Sequence, residues 1–155
     1  MCTPRNPVHF DRGSMTTKDA FTQKFCPKIR TGFNWSRFKS EDWPIEIVTV
    51  SDSSQFAALR LPWCLNPKNE YVSFAAEDAV RVRLSEVEVW FAHLPAEIRA
   101  DIERYEKKYR HAEGLVSFDF PAYAIPKQQY LVLDGNHRLS ALTRSGVPFR
   151  LQRWA

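Results

Sequence analysis

The most informative stretch of this sequence is Tyr130–Leu142, YLVLDGNHRLSAL. A run of four largely apolar residues stops at Asp134 and Gly135, and apolar residues with helical spacing begin after Arg138. This order predicts a strand, a tight turn and the first turn of a helix. The free backbone N–H groups and the positive dipole end of that helix would point into the space beside the turn, where a ligand could bind. Such a junction favours a phosphate group.

Each polar residue of this turn has an ordinary structural role when it is considered alone. Gly135 allows a positive φ, and Asp134 or Asn136 can cap the helix. A folded core does not require Asp, Asn, His and Arg within five residues, whereas an anion site does. We therefore predict that the turn amides and Arg138 hold phosphate, with His137 as hydrogen-bond donor or proton carrier. Asp134 would hold Mg²⁺ or accept a proton from a nucleophile.

The rest of the chain predicts alternating strands and helices. Ile45–Val50 is β-branched, Val80–Leu84 alternates apolar and basic residues, and Val147–Trp154 follows a helix-ending glycine, so all three indicate strands. Pro95–Tyr109 has one apolar helical stripe and an opposite charged face that we expect to be solvated. Lys127–Gln129 is typical of a hairpin turn. The expected fold class is α/β (α+β in a strict scheme), a small mixed sheet flanked by helices.

Four other segments give weaker patterns. Gln55–Leu61 is expected to form a short helix that is ended by Pro62, and Trp63–Asn69 is expected to form a turn. Val87–Phe91 is expected to continue or follow the preceding strand. Phe118–Tyr123 is aromatic but contains Pro121, which favours an edge strand or an extended loop.

The first part of the chain differs in composition from the rest. Residues 1–42 are polar with scattered aromatics, and we expect an arm whose aromatic side chains pack on a single domain formed by residues 43–155. Thr16–Asp19 is expected to open a short helix that runs through Phe25. Arg12–Met15 is either a junction left by an expression vector or native sequence, and residues 1–14 are assigned no structural role.

Composition limits the class of protein. The 155 residues include 44% hydrophobic residues, which favours a globular fold over a disordered one. Three widely spaced cysteines indicate neither a disulfide framework nor a metal site, so a cytoplasmic location is the default. No apolar run has the length of a membrane span. A membrane partner is therefore not expected.

The net charge of +4 is compatible with a polyanionic partner. Five positive residues and one acid lie between residue 127 and the last residue, in the same part of the chain as the turn. An excess of this kind suits contact with a phosphate backbone, although it serves solubility equally well. The predicted DNA-binding residues are Lys127, Arg144, Arg150 and Arg153.

The segment Leu133–Leu142, followed by Gly146 and a strand, resembles the hallmark of the ParB/sulfiredoxin superfamily. Those proteins carry a D-G-x-[HR]-R-x-x-A-like sequence between a strand and a helix. The upstream strand and the helix Pro95–Tyr109 are in the order of the family, so the resemblance covers about residues 78–155. It implies a ParB/sulfiredoxin-like fold. It also implies a nucleotide phosphate bound by the motif residues Gly135, Asn136, His137 and Arg138.

Activities diverge within this superfamily. Sulfiredoxins have a catalytic cysteine where this chain has Asn136, so sulfinic-acid repair is not expected. Free-serine kinases carry a similar D-G-H-H-R motif and a glutamate after a proline, which Glu97 resembles. Chromosome-partitioning members bind CTP but need a helix-turn-helix domain downstream, and this chain ends at Ala155. Small plasmid and phage members are described as ParB-like nucleases or fertility-inhibition proteins.

Three functional hypotheses remain open at this point. The first is a nucleotide-binding, Mg²⁺-dependent DNase linked to plasmid or phage DNA transfer or its inhibition, with ATP as the expected nucleotide. Its catalytic residues would be Asp134, His137 and Glu97, and Asp134 would hold the metal. The second is an ATP- or ADP-dependent kinase of a small hydroxylated molecule such as free serine, with Glu97 as the base. The third is a non-enzymatic inhibitory module whose aromatic arm binds a protein partner.

Overall fold

The computed structural model describes residues 13–29, 33–42 and 44–155, which form a mixed α/β fold around one eight-stranded sheet. The strands are β1 Ser14–Thr16, β2 Ile45–Val50, β3 Leu59–Leu65, β4 Tyr71–Val72, β5 Val80–Arg83, β6 Val116–Ile125, β7 Gln129–Val132 and β8 Phe149–Trp154. The helices are α1 Lys18–Phe25, α2 Trp35–Ser40, α3 Ser53–Ala57, α4 Val87–Trp90, α5 Ala96–Arg110 and α6 Asn136–Ser145. Short 3-10 turns, Leu84–Glu86 and Phe91–His93, flank α4.

The sheet combines parallel and antiparallel pairs. Its strand order is β1-β2-β8-β6-β7-β3-β4, and β5 also pairs with β3. The pairs β6–β8 and β3–β7 are parallel, and the other pairs are antiparallel. The strand that leads into the predicted site, β7, therefore lies in the interior of the sheet between β6 and β3.

Alternating side chains along the central strands point into two separate cores. The main core lies between the sheet and the helices α5 and α6, and Leu151 of β8 belongs to it. Trp154, also in β8, packs instead with the aromatic residues of the arm. In β6, Phe120 is in the main core, and Asp119 faces the other way to pair with Lys24 of α1 at 3.2 Å. The arm helices and the α5–α6 pair thus lie on opposite faces of the sheet.

The second core joins the arm to the rest of the protein. Its buried residues are Phe21, Phe25, Ile29, Phe38, Ile45 and Leu133. Leu133 directly precedes the polar turn in sequence. Packing of the arm therefore reaches the end of the strand that carries the site.

Several sequence predictions are confirmed. The structure contains α1, β2, β5, α5, β7, α6 and β8 close to their predicted positions. Thr17 caps α1 by accepting a hydrogen bond from the Ala20 N–H at 3.1 Å. The hairpin turn places Lys127 and Gln128 at positive φ, and Gly146 ends α6 at a φ of +71°. A mixed sheet with helices is likewise confirmed as the fold class.

The predicted helix Gln55–Leu61 is wrong in its second half, and so is the turn after it. Helix α3 ends at Ala57, and β3 then runs from Leu59 to Leu65. Alternate β3 residues are buried in the main core, which a strand allows and a turn does not. Pro62 is tolerated because the register between β3 and β5 shifts between Arg60 and Cys64, so no regular ladder is interrupted there.

The prediction for Phe118–Tyr123 is also wrong. This segment belongs to the ten-residue strand β6, which lies between β8 and β7. Pro121 fits because its carbonyl accepts the Leu133 N–H at 2.9 Å. The N–H that proline lacks would point toward Leu133, where β7 has already ended.

Three smaller expectations are corrected. Val87–Phe91 is not a strand, because Val87 and Trp90 are buried on one side of α4 and the Trp90 Nε1–H donates to the Arg83 carbonyl at 2.6 Å. The charged face of α5 is not wholly solvated, since Glu106 is only 5% exposed. Ser14 is not without a structural role, because it begins β1 and pairs with Ile47. Residues 1–12 lie outside the described part of the chain.

Candidate functional site

Gly135 forms the junction between the sheet and α6. Its φ is +82°, a left-handed conformation that residues with a side chain rarely adopt. A Cβ at this position would lie 2.7 Å from Cζ of Phe118 on the neighbouring strand β6. Glycine is therefore required both by the turn and by the close approach of the aromatic ring.

The N-terminus of α6 has no side-chain cap. The first intrahelical bond of the helix is donated by the Leu139 N–H to the Gly135 carbonyl at 2.8 Å. The amides of Asn136, His137 and Arg138 precede that bond, in the part of a helix where N–H groups have no intrahelical acceptor. They can donate to an anion, which the positive dipole end of the helix also attracts.

Arg138 is held in place by two contacts. Its Nη2 lies 3.2 Å from Oδ2 of Asp134, and its guanidinium lies 4.7 Å from the centroid of the Phe118 ring. The Arg138 side chain is still 33% exposed. The guanidinium is thus oriented beside the helix N-terminus while it remains accessible to a ligand.

His137 lies between a tryptophan and an acid. Its ring packs edge-on against Trp63 with centroids 5.2 Å apart, and its Nε2 is 4.0 Å from Oδ2 of Asp101. Burial lowers the pKa of His137; Asp101 opposes this shift, while Arg104 and Arg138 add to it. The imidazole is therefore neutral at neutral pH, so one ring nitrogen can accept a proton.

These residues border a cavity of about 480 Å³. Its lining comprises Pro27, Lys28, Tyr105, Leu133, Asp134, Gly135, Asn136, His137 and Arg138. The volume is within the range of small-molecule sites, about 300–1,000 Å³. The turn thus forms one wall of a cavity large enough for a ligand.

Two cavity residues were missed by sequence reasoning. Lys28 comes from the segment after α1, and Tyr105 comes from the middle of α5. In the sequence, Tyr105 belongs to the apolar stripe of Pro95–Tyr109, a pattern that indicates packing and not a ligand site. Lys28 had no local signal, because its position depends on how the arm packs across the sheet.

The site offers oxygen donors suited to Mg²⁺. Oδ1 of Asn136 is buried without a hydrogen-bond partner, and Asp134 supplies a carboxylate that is partly exposed. No group of three or more His, Cys, Asp or Glu side chains arranged for a metal occurs within the described ranges. Mg²⁺ commonly uses one or two carboxylates together with substrate phosphates and water, so two protein oxygens fit a phosphate-linked ion.

The structure does not bring Glu97 into this cavity. Glu97 is exposed in the first turn of α5, about 12 Å along the helix axis from Tyr105 at roughly 1.5 Å per residue. The carboxylate of α5 that approaches His137 is Asp101, one turn further along. Asp101 was not among the predicted site residues, because only the packing of α5 against α6 brings its carboxylate close to His137.

The four predicted DNA-binding residues do not lie together. Arg150 is exposed and pairs in register with Ser117 near the start of β6, whereas Lys127 is exposed in the turn after the end of β6. Arg153 is only 7% exposed, with its guanidinium 3.7 Å from the Tyr130 ring centroid.

Arg144 is also engaged inside the protein. Its guanidinium lies 3.3 Å from the Phe91 ring centroid, and its Nε is 2.9 Å from Oε1 of Glu106. Of the four, only Arg150 is exposed and also lies beside the end of β6 that approaches the turn at Gly135.

No helix among the described residues is both long enough and apolar enough to cross a bilayer. Comparisons with models of known protein families, with characterised protein sequences and with solved structures found no match to this chain.

Proposed function

We propose that this protein binds a nucleotide through its phosphates at the N-terminus of α6, on a domain of the ParB/sulfiredoxin type. One observation carries the proposal: the uncapped helix N-terminus opens onto a cavity of about 480 Å³ that is also lined by Arg138 and Lys28. Helix amides and two cations around one cavity suit a polyphosphate. The resemblance of residues 78–155 to the superfamily supports the same ligand class.

Each cavity residue has a defined role in this proposal. The amides of Asn136 and His137 would donate to phosphate oxygens, and Arg138 would exchange part of its contact with Asp134 for the phosphate. Asp134 and Oδ1 of Asn136 would then hold Mg²⁺. When bound, Mg²⁺ would neutralise phosphate charge. Tyr105 offers an aromatic wall for the sugar or base.

We further propose that the reaction at this site is hydrolysis of a DNA phosphodiester. The neutral His137 favours it, because an unprotonated imidazole can accept the proton of an attacking water. The water oxygen would bond to phosphorus as one phosphorus–oxygen bond breaks, and the departing oxygen would take up a proton. Arg150 is the predicted DNA contact closest in the sheet to Phe118, whose ring touches the turn.

The two alternatives have less support from the geometry. A kinase reaction with Glu97 as base needs that carboxylate beside the phosphates, but Glu97 is exposed and outside the cavity lining. A protein-binding role for the aromatic arm needs accessible rings, but Phe21, Phe25 and Phe38 are buried in the second core. Deleting the arm (residues 1–40) would not test this role separately, because the deletion would also remove Lys28 from the nucleotide site.

Nucleotide binding is tested by thermal unfolding with ATP, ADP, CTP or GTP, each with and without Mg²⁺. At least one nucleotide should raise Tm, because a ligand that binds only the native state stabilises it. Arg138→Ala, in α6, should abolish the rise in Tm. Lys107→Ala, which removes an exposed positive charge from α5, should preserve it. Unchanged melting with every nucleotide would refute the proposal.

DNA cleavage is tested separately by conversion of supercoiled plasmid to the nicked form. We expect Mg²⁺-dependent nicking that is lost in His137→Ala, with nucleotide-induced stabilisation retained. The matched control is His111→Ala, which changes an exposed histidine after α5. Nucleotide binding without nicking would retain the binding proposal and exclude the nuclease.

A further inference from the structure

A second cavity lies near the β3 side of the sheet, away from the turn. Its volume is about 260 Å³, and its lining includes Arg60 and Cys64 of β3 and Arg81 of β5. Arg60 alternates with Leu59 and Leu61, which are buried in the main core. Arg60 therefore points to the sheet face opposite the main core.

Arg60 is an unusually placed cation. It is only 9% exposed, and its Nε donates to Oε1 of Gln129 at 3.1 Å. No carboxylate within the described part of the chain lies at ion-pair distance from it, although buried charges are normally paired. Burial, followed by the charge of Arg83, lowers the pKa of Arg60, and Glu86 opposes this shift. The fold thus keeps a poorly compensated positive charge beside the cavity.

The neighbouring charges increase this imbalance. Arg83 is the direct cross-strand partner of Arg60, an arrangement of like charges that destabilises a strand pair. Glu86 lies 3.9 Å from Arg83 and compensates part of this charge. Arg81 is exposed and has no ion pair among the residues that the structure describes. The cavity lining contains two arginines and no carboxylate.

Apolar groups complete the lining. Phe74 is 78% exposed and Val80 is 63% exposed, and both border the cavity together with Ile125. An exposed aromatic ring beside arginines offers a stacking surface for a flat ligand. The volume is slightly below the usual range of about 300–1,000 Å³ for ligand sites, which limits the ligand to about one ring.

We propose that this cavity binds a small organic anion, a carboxylate or phosphate monoester carried on a single ring. Arg60 and Arg81 would bind the anionic group, and Phe74 would pack against the ring. Binding would be non-covalent, because burial raises the pKa of the Cys64 thiol and keeps it protonated. The proposal does not depend on the function of the turn at Gly135.

Isothermal titration calorimetry with phenyl phosphate and with benzoate tests the proposal, and benzyl alcohol serves as the uncharged probe. We expect both anions to bind and the alcohol not to bind. Arg60→Gln and Arg81→Gln should each raise Kd at least about tenfold, as expected for loss of a charge-assisted hydrogen bond. Lys107→Gln, which changes an exposed charge on α5, should leave Kd unchanged.

The variants separate the possible failures. Arg81 is exposed, so Arg81→Gln should fold normally and carries the test even if Arg60→Gln alters the buried side of β3. Wild-type affinity in Arg81→Gln would overturn the proposal. So would loss of benzoate binding in Arg138→Ala, which would place that probe at the turn, or absence of binding of both anions at millimolar concentrations.

Discussion

Helix α6 carries two arginines with similar surroundings and different exposure. Arg138, near its N-terminus, packs over Phe118 and lies 3.2 Å from Asp134. Arg144, in its last turn, packs over a phenylalanine of the turn after α4 and lies 2.9 Å from Glu106. The Arg144 and Glu106 side chains are 19% and 6% exposed, against 33% and 23% for Arg138 and Asp134.

This difference shows how burial changes the role of the same three groups. At the C-terminal end, a cation, an acid and a ring fill the space between α4, α5 and α6, so Arg144 fixes the packing of the helices. At the N-terminal end, the corresponding cation and acid border a cavity. The Arg138 contacts orient the guanidinium and leave it free to exchange partners.

The largest expected effect is on stability at the buried end. Arg144→Ala should lower the free energy of unfolding by about 3 kcal/mol, because removing one partner of a buried pair leaves the other uncompensated. Arg110, 3.7 Å from Glu106, offsets part of the loss. Arg138→Ala should cost less than about 1 kcal/mol, as for a partly exposed pair. Urea unfolding measures both, and equal losses would contradict the distinction between the two ends.

The glycines at the two ends of α6 provide the next comparison. Gly135→Ala should destabilise by about 2 kcal/mol or more, because the strain of a positive φ is added to a clash with Phe118. Gly146→Ala should cost only about 1 kcal/mol, since its φ is also positive but no atom lies within 4 Å of the added Cβ. Thermal unfolding of both variants tests this order. A smaller loss for Gly135→Ala would show that Phe118 can move aside.

The two phenylalanines should affect different measurements. Phe118→Leu removes the ring that orients Arg138, so nucleotide affinity should fall about threefold to tenfold, in line with a cation–π contact of about 1 kcal/mol. Phe91→Leu should reduce stability by a similar free energy and leave nucleotide affinity unchanged. Calorimetric titration together with unfolding curves separates these effects. A fall in affinity in both variants would indicate that the α4 end is also part of the site.

The smallest effect is a dependence of stability on pH. Because burial lowers the pKa of His137 below its ordinary value of about 6.5, the unfolded chain binds this proton more readily than the native state does. The free energy of unfolding should therefore fall as pH drops below about 6.5, until His137 also titrates in the native state. His137→Gln should flatten this part of the profile, whereas His111→Gln should not. Unfolding curves at several pH values would detect the difference.

The strand, turn and helix at the site were predictable because their signals are local. The apolar run, Gly135 and Gly146 each act through neighbouring residues, and the structure confirms their positions. The partners of the turn were not predictable. Lys28, Tyr105 and Asp101 reach His137 and Arg138 only through packing between distant elements.

Prolines caused the two main errors in the strands. Pro62 and Pro121 suggested a helix end and an edge segment, but both lie in interior strands. In each case the tolerance comes from the neighbouring strand, through a register shift beside β3 and the early end of β7. The sequence also could not separate Arg144 from Arg138, because only packing determines which guanidinium is buried.

The position of β7 and β8 within the sheet has a consequence for folding. Strands β7 and β8 belong to the second half of the chain, yet β7 pairs with β3 and β8 pairs with β2, both from the first half. A fragment that contained only the second half of the chain would leave β7 and β8 each with an unprotected edge able to associate with other molecules. The cavity at the polar turn is therefore formed only when both halves of the chain have come together. An excised C-terminal half should aggregate and should not bind nucleotide.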